Sequence, residues 1–168
     1  NATSGAGIYV KGVDTKIDNS TFVNNTATDG AGGYVDGENT NILNSTFKIN
    51  NATNGAGIYV KGAKTKILNT TFDNNTAIDG AGGYVDGSNT NISSNSLFKY
   101  NDAVNGAGIY VKGTSTEISN TTFDNNTAVN GGGAYIKGED TNILNATFIN
   151  NNVTYHGGAV YIDGSKSK

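Results

Sequence analysis

Gly5-Ala6-Gly7-Ile8-Tyr9-Val10-Lys11-Gly12 returns as Gly30-Ala31-Gly32-Gly33-Tyr34-Val35-Asp36-Gly37 and again as Gly55-Ala56-Gly57-Ile58-Tyr59-Val60-Lys61-Gly62. Its last copy is Gly157-Gly158-Ala159-Val160-Tyr161-Ile162-Asp163-Gly164. Between copies a second marker keeps the same beat: Phe22, Phe47, Phe72, Phe98, Phe123 and Phe148 are spaced 25, 25, 26, 25 and 25 apart. Self-similarity at such a period is the signature of a solenoid. The 4 leucines (Leu43, Leu68, Leu97, Leu144) are too few for a leucine-rich repeat. Asn, Thr and Gly are poor helix formers, which argues against helical repeats. Within each unit the apolar residues alternate with period two over short runs bounded by Gly and Asn, which is strand patterning. The expected fold is all-β: a parallel β-solenoid, about 25 residues per coil and roughly 6–7 coils over 168 residues. At a strand spacing of about 4.8 Å it makes a rod about 32 Å long.

Alternation also assigns faces. Val10, Val35, Val60, Val85, Val111, Ile136 and Ile162 follow the tyrosines, and a charge follows each of them: Lys11, Asp36, Lys61, Asp86, Lys112, Lys137, Asp163. An isolated charge is too costly inside a narrow solenoid, so the charges face out and the Val/Ile column faces in. Thr15, Thr40, Thr65, Thr90, Thr116 and Thr141, each two residues before an Ile, point inward with Ile17, Ile42, Ile67, Ile92, Ile118 and Ile143. The Phe column is also inward, followed by Asn25, Asn50, Asn75, Asn101, Asn126 and Asn151, whose amides can satisfy backbone at a bend and bond to one another. One-residue slips at Ser93–Leu97 and at Tyr155-His156 are expected in turns, which tolerate length changes.

Neighbouring repeats differ regularly, giving a super-repeat of about 50 residues. Ile8, Gly33, Ile58, Gly83 and Ile109 stack large on small. Lys and Asp alternate outside, an arrangement expected to set stacking register, since exposed pairs contribute only about 0.2–1 kcal/mol each. The Lys112–Lys137 step breaks the rule, and Glu117 or Glu139 is expected to compensate.

Composition narrows the function. Cys, Pro, Met and Trp are all 0, there is no Arg among the 11 basic residues, and the net charge is -3. Disulfides and thiolate chemistry are therefore excluded. Nucleic acid is not an expected partner, because it needs a concentrated basic stripe. No apolar run approaches the roughly 18 residues of a membrane span.

With these motifs in place the chain resembles a known family. Gly157-Gly158-Ala159-Val160, its degenerate forms Gly5-Ala6-Gly7-Ile8 and Gly131-Gly132-Gly133-Ala134, and the Phe-x-x-Asn strings Phe22–Asn25, Phe72–Asn75 and Phe148–Asn151 look like the chlamydial polymorphic outer-membrane-protein repeat. The string from Ile17 to Ala27 is similar to adhesin-like surface proteins of methanogenic archaea. The full Gly-Gly-Ala form is mostly missing and no autotransporter barrel is visible, which favours the archaeal type. The resemblance spans nearly the whole chain. It implies a right-handed, single-stranded parallel β-helix and a cell-surface or secreted, adhesin-like role. Fold does not fix activity.

Catalysis is not expected. Glycoside hydrolysis needs two carboxylates about 5–9.5 Å apart. The candidates, Asp14 with Asp18 or Asp73 with Asp124, occupy repeat positions elsewhere filled by Asn, Ser, Lys, Leu or Ile. His156, the single histidine, reads as a turn residue, and Asp29, Asp36, Asp79 and Asp86 lack the nine-residue calcium repeat. No cofactor or metal is expected. The best binding candidate is the outward column Tyr9, Tyr34, Tyr59, Tyr84, Tyr110, Tyr135 and Tyr161, which can stack on sugars or simply stabilise its sheet. About a dozen Asn-x-Ser/Thr sequons, among them Asn19, Asn24, Asn44, Asn69, Asn74, Asn120, Asn125 and Asn145, offer glycosylation in an exported chain. The chain reads as a section of a larger surface protein, or a subunit stacking end to end. Its expected task is structural, and its expected partners are other cells, surface glycans or proteins. The alternative is a carbohydrate-active or carbohydrate-binding β-helix.

Overall fold

The computed structural model describes residues 2–168. Its strands are three to five residues long, and no helix occurs among the described residues. On three sides the strands pair in parallel with their counterparts in the adjacent coils, so chain order and ladder order coincide. Seven strands, from Ile8–Val10 to Val160–Ile162, form the Tyr sheet, whose register sets Tyr9 on Tyr34, Tyr34 on Tyr59 and so on to Tyr161. Six strands from Lys16–Asp18 to Asn142–Leu144 form the Ile sheet. Six more, from Thr21–Val23 to Thr147–Ile149, form the Phe sheet. The fourth side is a broken ladder of Ala2–Ser4, Ala27–Asp29, Asp102–Asn105, Thr127–Asn130 and Asn152–His156, joined by single bridges through Asn51, Asn54, Thr76 and Asp79. The expected solenoid of about 25 residues per coil is therefore the observed one.

Corners between these short strands need a sharp change of direction, and left-handed backbone supplies it. Asn19, Asn44, Asn69, Asn120 and Asn145 (φ 49, 49, 48, 47 and 50) turn the Ile sheet into the Phe sheet. Asn24, Asn74 and Asn125 (φ 57, 54 and 53) turn out of the Phe sheet. Asn tolerates this region because its short polar side chain bonds locally. All eight sequon asparagines named above thus stand at outer corners, where a structural need for Asn and a modification motif coincide. The slip at Ser93–Leu97 falls in such a corner, with Ser94 and Asn95 both at positive φ (56 and 62). The slip at Tyr155-His156 does not: it makes a bulge inside the strand Asn152–His156, where Ala128 still faces Val153 but Asn130 faces His156. That ladder is the least regular of the four, so an extra residue costs it little.

The core is one column per sheet. Val35, Val60 and Val85 from the Tyr sheet, Ile42, Ile67 and Ile92 from the Ile sheet, and Phe47, Phe72, Phe98 and Phe123 from the Phe sheet are all buried and packed together. The phenylalanine rings stack at 4.5–5.2 Å. Thr40, Thr65 and Thr90 are buried with them and cap their own turns by donating to the carbonyls of Gly37, Gly62 and Gly87. Gly33 provides the small half of the large-on-small stack, since a Cβ there would lie 3.3 Å from Ile8 and 3.6 Å from Ile58.

The polar half of the core is an amide ladder. Asn75 donates through Nδ2 to Asn101 Oδ1 at 3.0 Å and to the Phe47 carbonyl at 3.0 Å. Its own Oδ1 accepts from the backbone N–H and the Nδ2 of Asn50, each at 3.0 Å. Every hydrogen-bonding group of the side chain is thereby used, which is what allows Asn to be buried.

Candidate functional site

The seven tyrosines of the proposed column do stand in line, on the outer side of the Tyr sheet. Their ring centroids are 4.7–5.1 Å apart, and the planes are within 16° of each other up to Tyr135. A spacing set by strand pairing leaves no room between rings, so each face covers the next. Tyr84 and Tyr110 are only 9% and 8% exposed, whereas Tyr9 at the outer end is 48% exposed. What the column presents outward is ring edges and hydroxyls.

Those hydroxyls meet the charge ladder of the adjoining turn. Tyr9 donates to Asp36 Oδ2 at 3.5 Å, and Lys61 Nζ lies 3.1 Å from Asp36 Oδ1. One super-repeat on, Tyr59 donates to Asp86 Oδ2 at 3.4 Å, and Lys112 Nζ lies 3.3 Å from Asp86 Oδ1. Burial raises the phenol pKa of Tyr59 and Tyr84, with the Asp86 carboxylate a further cause at both. Burial also pushes Tyr110 up to about 12. Lys61 is raised by its hydrogen bond to Asp36. Beyond the ladder the turn is concave, and Gly62, Gly87 and Gly113 in its lining let successive coils lie close, since a Cβ on each would collide with the preceding coil's glycine carbonyl. The resulting cleft of about 420 Å³ is lined by Asp36, Lys61, Asp86 and Lys112 on one side and by Glu38, Ser88 and Thr114 on the other.

The other candidates separate. Asp18 is held below the usual carboxylate range by its hydrogen bonds with Lys16, at 2.7 Å, and with Asn44, at 2.9 Å. Asp14 accepts from Asn39. Asp73 lies between Lys48 at 3.3 Å and Lys99 at 3.8 Å, and Asp124 accepts from Asn125 at 2.8 Å. Asp29 and Asp79 each accept an amide from the coil above, Asn54 at 2.8 Å and Asn105 at 2.9 Å. His156 is exposed beside the Tyr155 and Tyr161 rings. The compensation expected for Lys137 is not found: among the described residues no ion pair joins it to Glu117 or Glu139. Glu117 instead accepts from Asn91 and Ser119. The sequence reading missed the bonds from Tyr9 and Tyr59 to a carboxylate one coil on. The Lys/Asp alternation was their signal, read only as a register device.

The family described as "right handed beta helix region" matches residues 6–168. The chain belongs to the right-handed β-helix family. No curated protein and no solved structure matches it. In this β-helix the tyrosine column, the Asp36–Lys112 ladder and the cleft form one continuous side, a polar strip running along the rod.

Proposed function

We propose that this right-handed β-helix is a structural repeat of the cell surface or of a secreted protein, adhesin-like in type, serving as a stiff stalk or display surface rather than as a catalyst. The observation that carries this reading is the unbroken register. Counterpart strands stand on each other along three whole sheets, and the inward columns of Val/Ile, Ile and Phe pack as one core. A glycoside-hydrolysing site on such a scaffold needs a carboxyl kept neutral beside an ionised one. The carboxylates weighed for that task instead have lysine or asparagine partners, and Asp18 is shifted in the opposite direction. Incubation with a panel of polysaccharides should release no reducing sugar, and surface-labelling of intact native cells should label this chain. Sugar release that is lost on replacing Asp73 or Asp124 by Asn would overturn the reading.

The cleft favours a second reading, in which the strip binds glycan without cleaving it. Because the tyrosine faces cover one another, recognition falls to Asp36, Asp86, Lys61 and the phenol hydroxyls, not to sugar stacking. On a glycan array, Asp36→Ala/Asp86→Ala should then lose binding, and Tyr59→Phe should weaken it while the fold is kept.

A further inference from the structure

The outer face of the Phe sheet carries a pattern that the stalk reading does not use. In each three-residue strand the phenylalanine points inward, and the residues before and after it point out. The column after it reads Val23, Lys48, Asp73, Lys99, Asp124, Ile149, aligned in that order by the strand register. Read backwards it becomes Ile149, Asp124, Lys99, Asp73, Lys48, Val23. Set against its own reverse, every lysine meets an aspartate, and the two aliphatic ends meet each other. From this geometry we infer that the Phe-sheet face is an interface for a second copy of this chain, laid antiparallel about a two-fold axis that passes between the coils of Asp73 and Lys99.

An axis of that kind leaves each column facing itself in reverse. Lys48 then faces the second copy's Asp124, and Asp73 faces its Lys99, each contact occurring twice because the interface is isologous. A parallel arrangement would set the charged column against the threonines of the neighbouring outer column and lose the match.

Three features favour a partner over a purely internal ladder. Within one chain Lys48 and Lys99 share the single carboxylate of Asp73, while Asp124 makes no ion pair among the described residues. The reversed copy brings the spare carboxylate to the surplus ammonium, twice. Secondly, continued alternation would place Asp at position 23 and Lys at 149. Val23 and Ile149 stand there instead, 45% and 42% exposed. Shifts by whole super-repeats keep the charges matched but set these aliphatics against charges, so the ends fix the register. Thirdly, other outer columns lack the property. Reversing Lys11, Asp36, Lys61, Asp86, Lys112, Lys137, Asp163 sets Lys61 on Lys112 and Asp86 on itself, and reversing Lys16, Asn41, Lys66, Asn91, Glu117, Asn142 sets no opposite charges together.

Six strands about 4.8 Å apart and about 10 Å long give a face of roughly 300 Å². Stable interfaces bury about 800 Å² per partner. The pairing is accordingly weak, with a Kd on the order of 0.1–1 mM, and sensitive to salt.

Analytical ultracentrifugation of the whole chain up to about 1 mM tests this. The weight-average mass should rise from 17.3 kDa toward twice that value at low ionic strength and fall back in high salt. Zero-length carbodiimide coupling should join Lys48 to Asp124, residues three coils and about 14 Å apart within one chain and so out of mutual reach there. Asp124→Lys leaves the internal Lys48–Asp73–Lys99 group intact and should reduce association at least tenfold. Lys48→Asp/Asp124→Lys should restore it, although that variant places like charges on adjacent coils within the chain. A mass fixed at 17.3 kDa throughout, no Lys48–Asp124 product, or a double variant no better than the single one would each overturn the inference.

Discussion

Asn75 and Ile49 show how differently one side chain can bear on this rod. Asn75 joins three coils through four hydrogen bonds of 3.0 Å at a site with no solvent access. Asn75→Ala strands the backbone and side-chain donors of Asn50 and takes an amide from the Phe47 carbonyl, each at about 1–3 kcal/mol, while the Asn101 oxygen keeps only the backbone N–H of residue 75. Thermal denaturation should show a loss on the order of 3–5 kcal/mol, or roughly 10 °C for a chain of this size. Ile49 is the converse case. It holds φ 54 at a corner where Asn24, Asn74 and Asn125 stand in other coils, and it is 44% exposed. A β-branched residue is strained there by about 1–2 kcal/mol, so Ile49→Asn should raise the melting temperature by a few degrees. The sequence made Asn75 legible, because a recurring Asn three residues after Phe has few other uses. It concealed the strain at Ile49, because a positive φ depends on where a coil must bend, and nothing in a local Lys-Ile-Asn string announces that.

Among the elements, the Tyr sheet is where expectation and structure differ most usefully. Period-two alternation put its tyrosines on the outer side, and they are there. Alternation says nothing of how far neighbouring coils cover a side chain, and the central rings are nearly enclosed. That enclosure has a consequence at high pH. Burial raises the phenol pKa of Tyr59 and Tyr84 above the ordinary value and takes Tyr110 to about 12. A raised folded-state pKa means that the fold prefers the neutral phenol. The contribution is complete below about pH 10, the unfolded value, and is lost as pH rises toward 12 and beyond. Tyrosinate absorbance from these three rings should therefore appear together with loss of the β-sheet circular dichroism above pH 10. Tyr59→Phe/Tyr84→Phe/Tyr110→Phe should move that transition to higher pH. Full ionisation of the column with the sheet signal intact would contradict the stacked arrangement. The carboxylate partners of Tyr9 and Tyr59 were hidden for a related reason, since a bond from one coil to the next depends on ring tilt as well as on order along the chain.

For the whole molecule the governing quantity is parity. The coil repeats every 25 residues, but large-on-small packing and charge alternation repeat every two coils, so coils can be removed faithfully only in pairs. Contacts run between neighbouring coils, so a solenoid should tolerate such excisions where the register is kept. Deleting residues 34–83 joins Gly33 to Tyr84 and leaves an outer Phe-sheet column of Val23, Lys99, Asp124, Ile149, still complementary to its own reverse. Deleting residues 34–58 removes one coil and sets Gly33 against Gly83, opening a gap that Ile58 had filled. The column becomes Val23, Asp73, Lys99, Asp124, Ile149, and its reverse places Asp73 on Asp124 and Lys99 on itself. Both chains should keep β-sheet circular dichroism. The longer variant has more coils, so interface length alone would make it the better dimer. Parity demands the opposite: in low salt at millimolar concentration the one-coil deletion should sediment as a monomer, and the two-coil deletion should still associate, more weakly than the whole chain. Association of the longer variant alone would show that the face pairs by area and that its charge order is incidental.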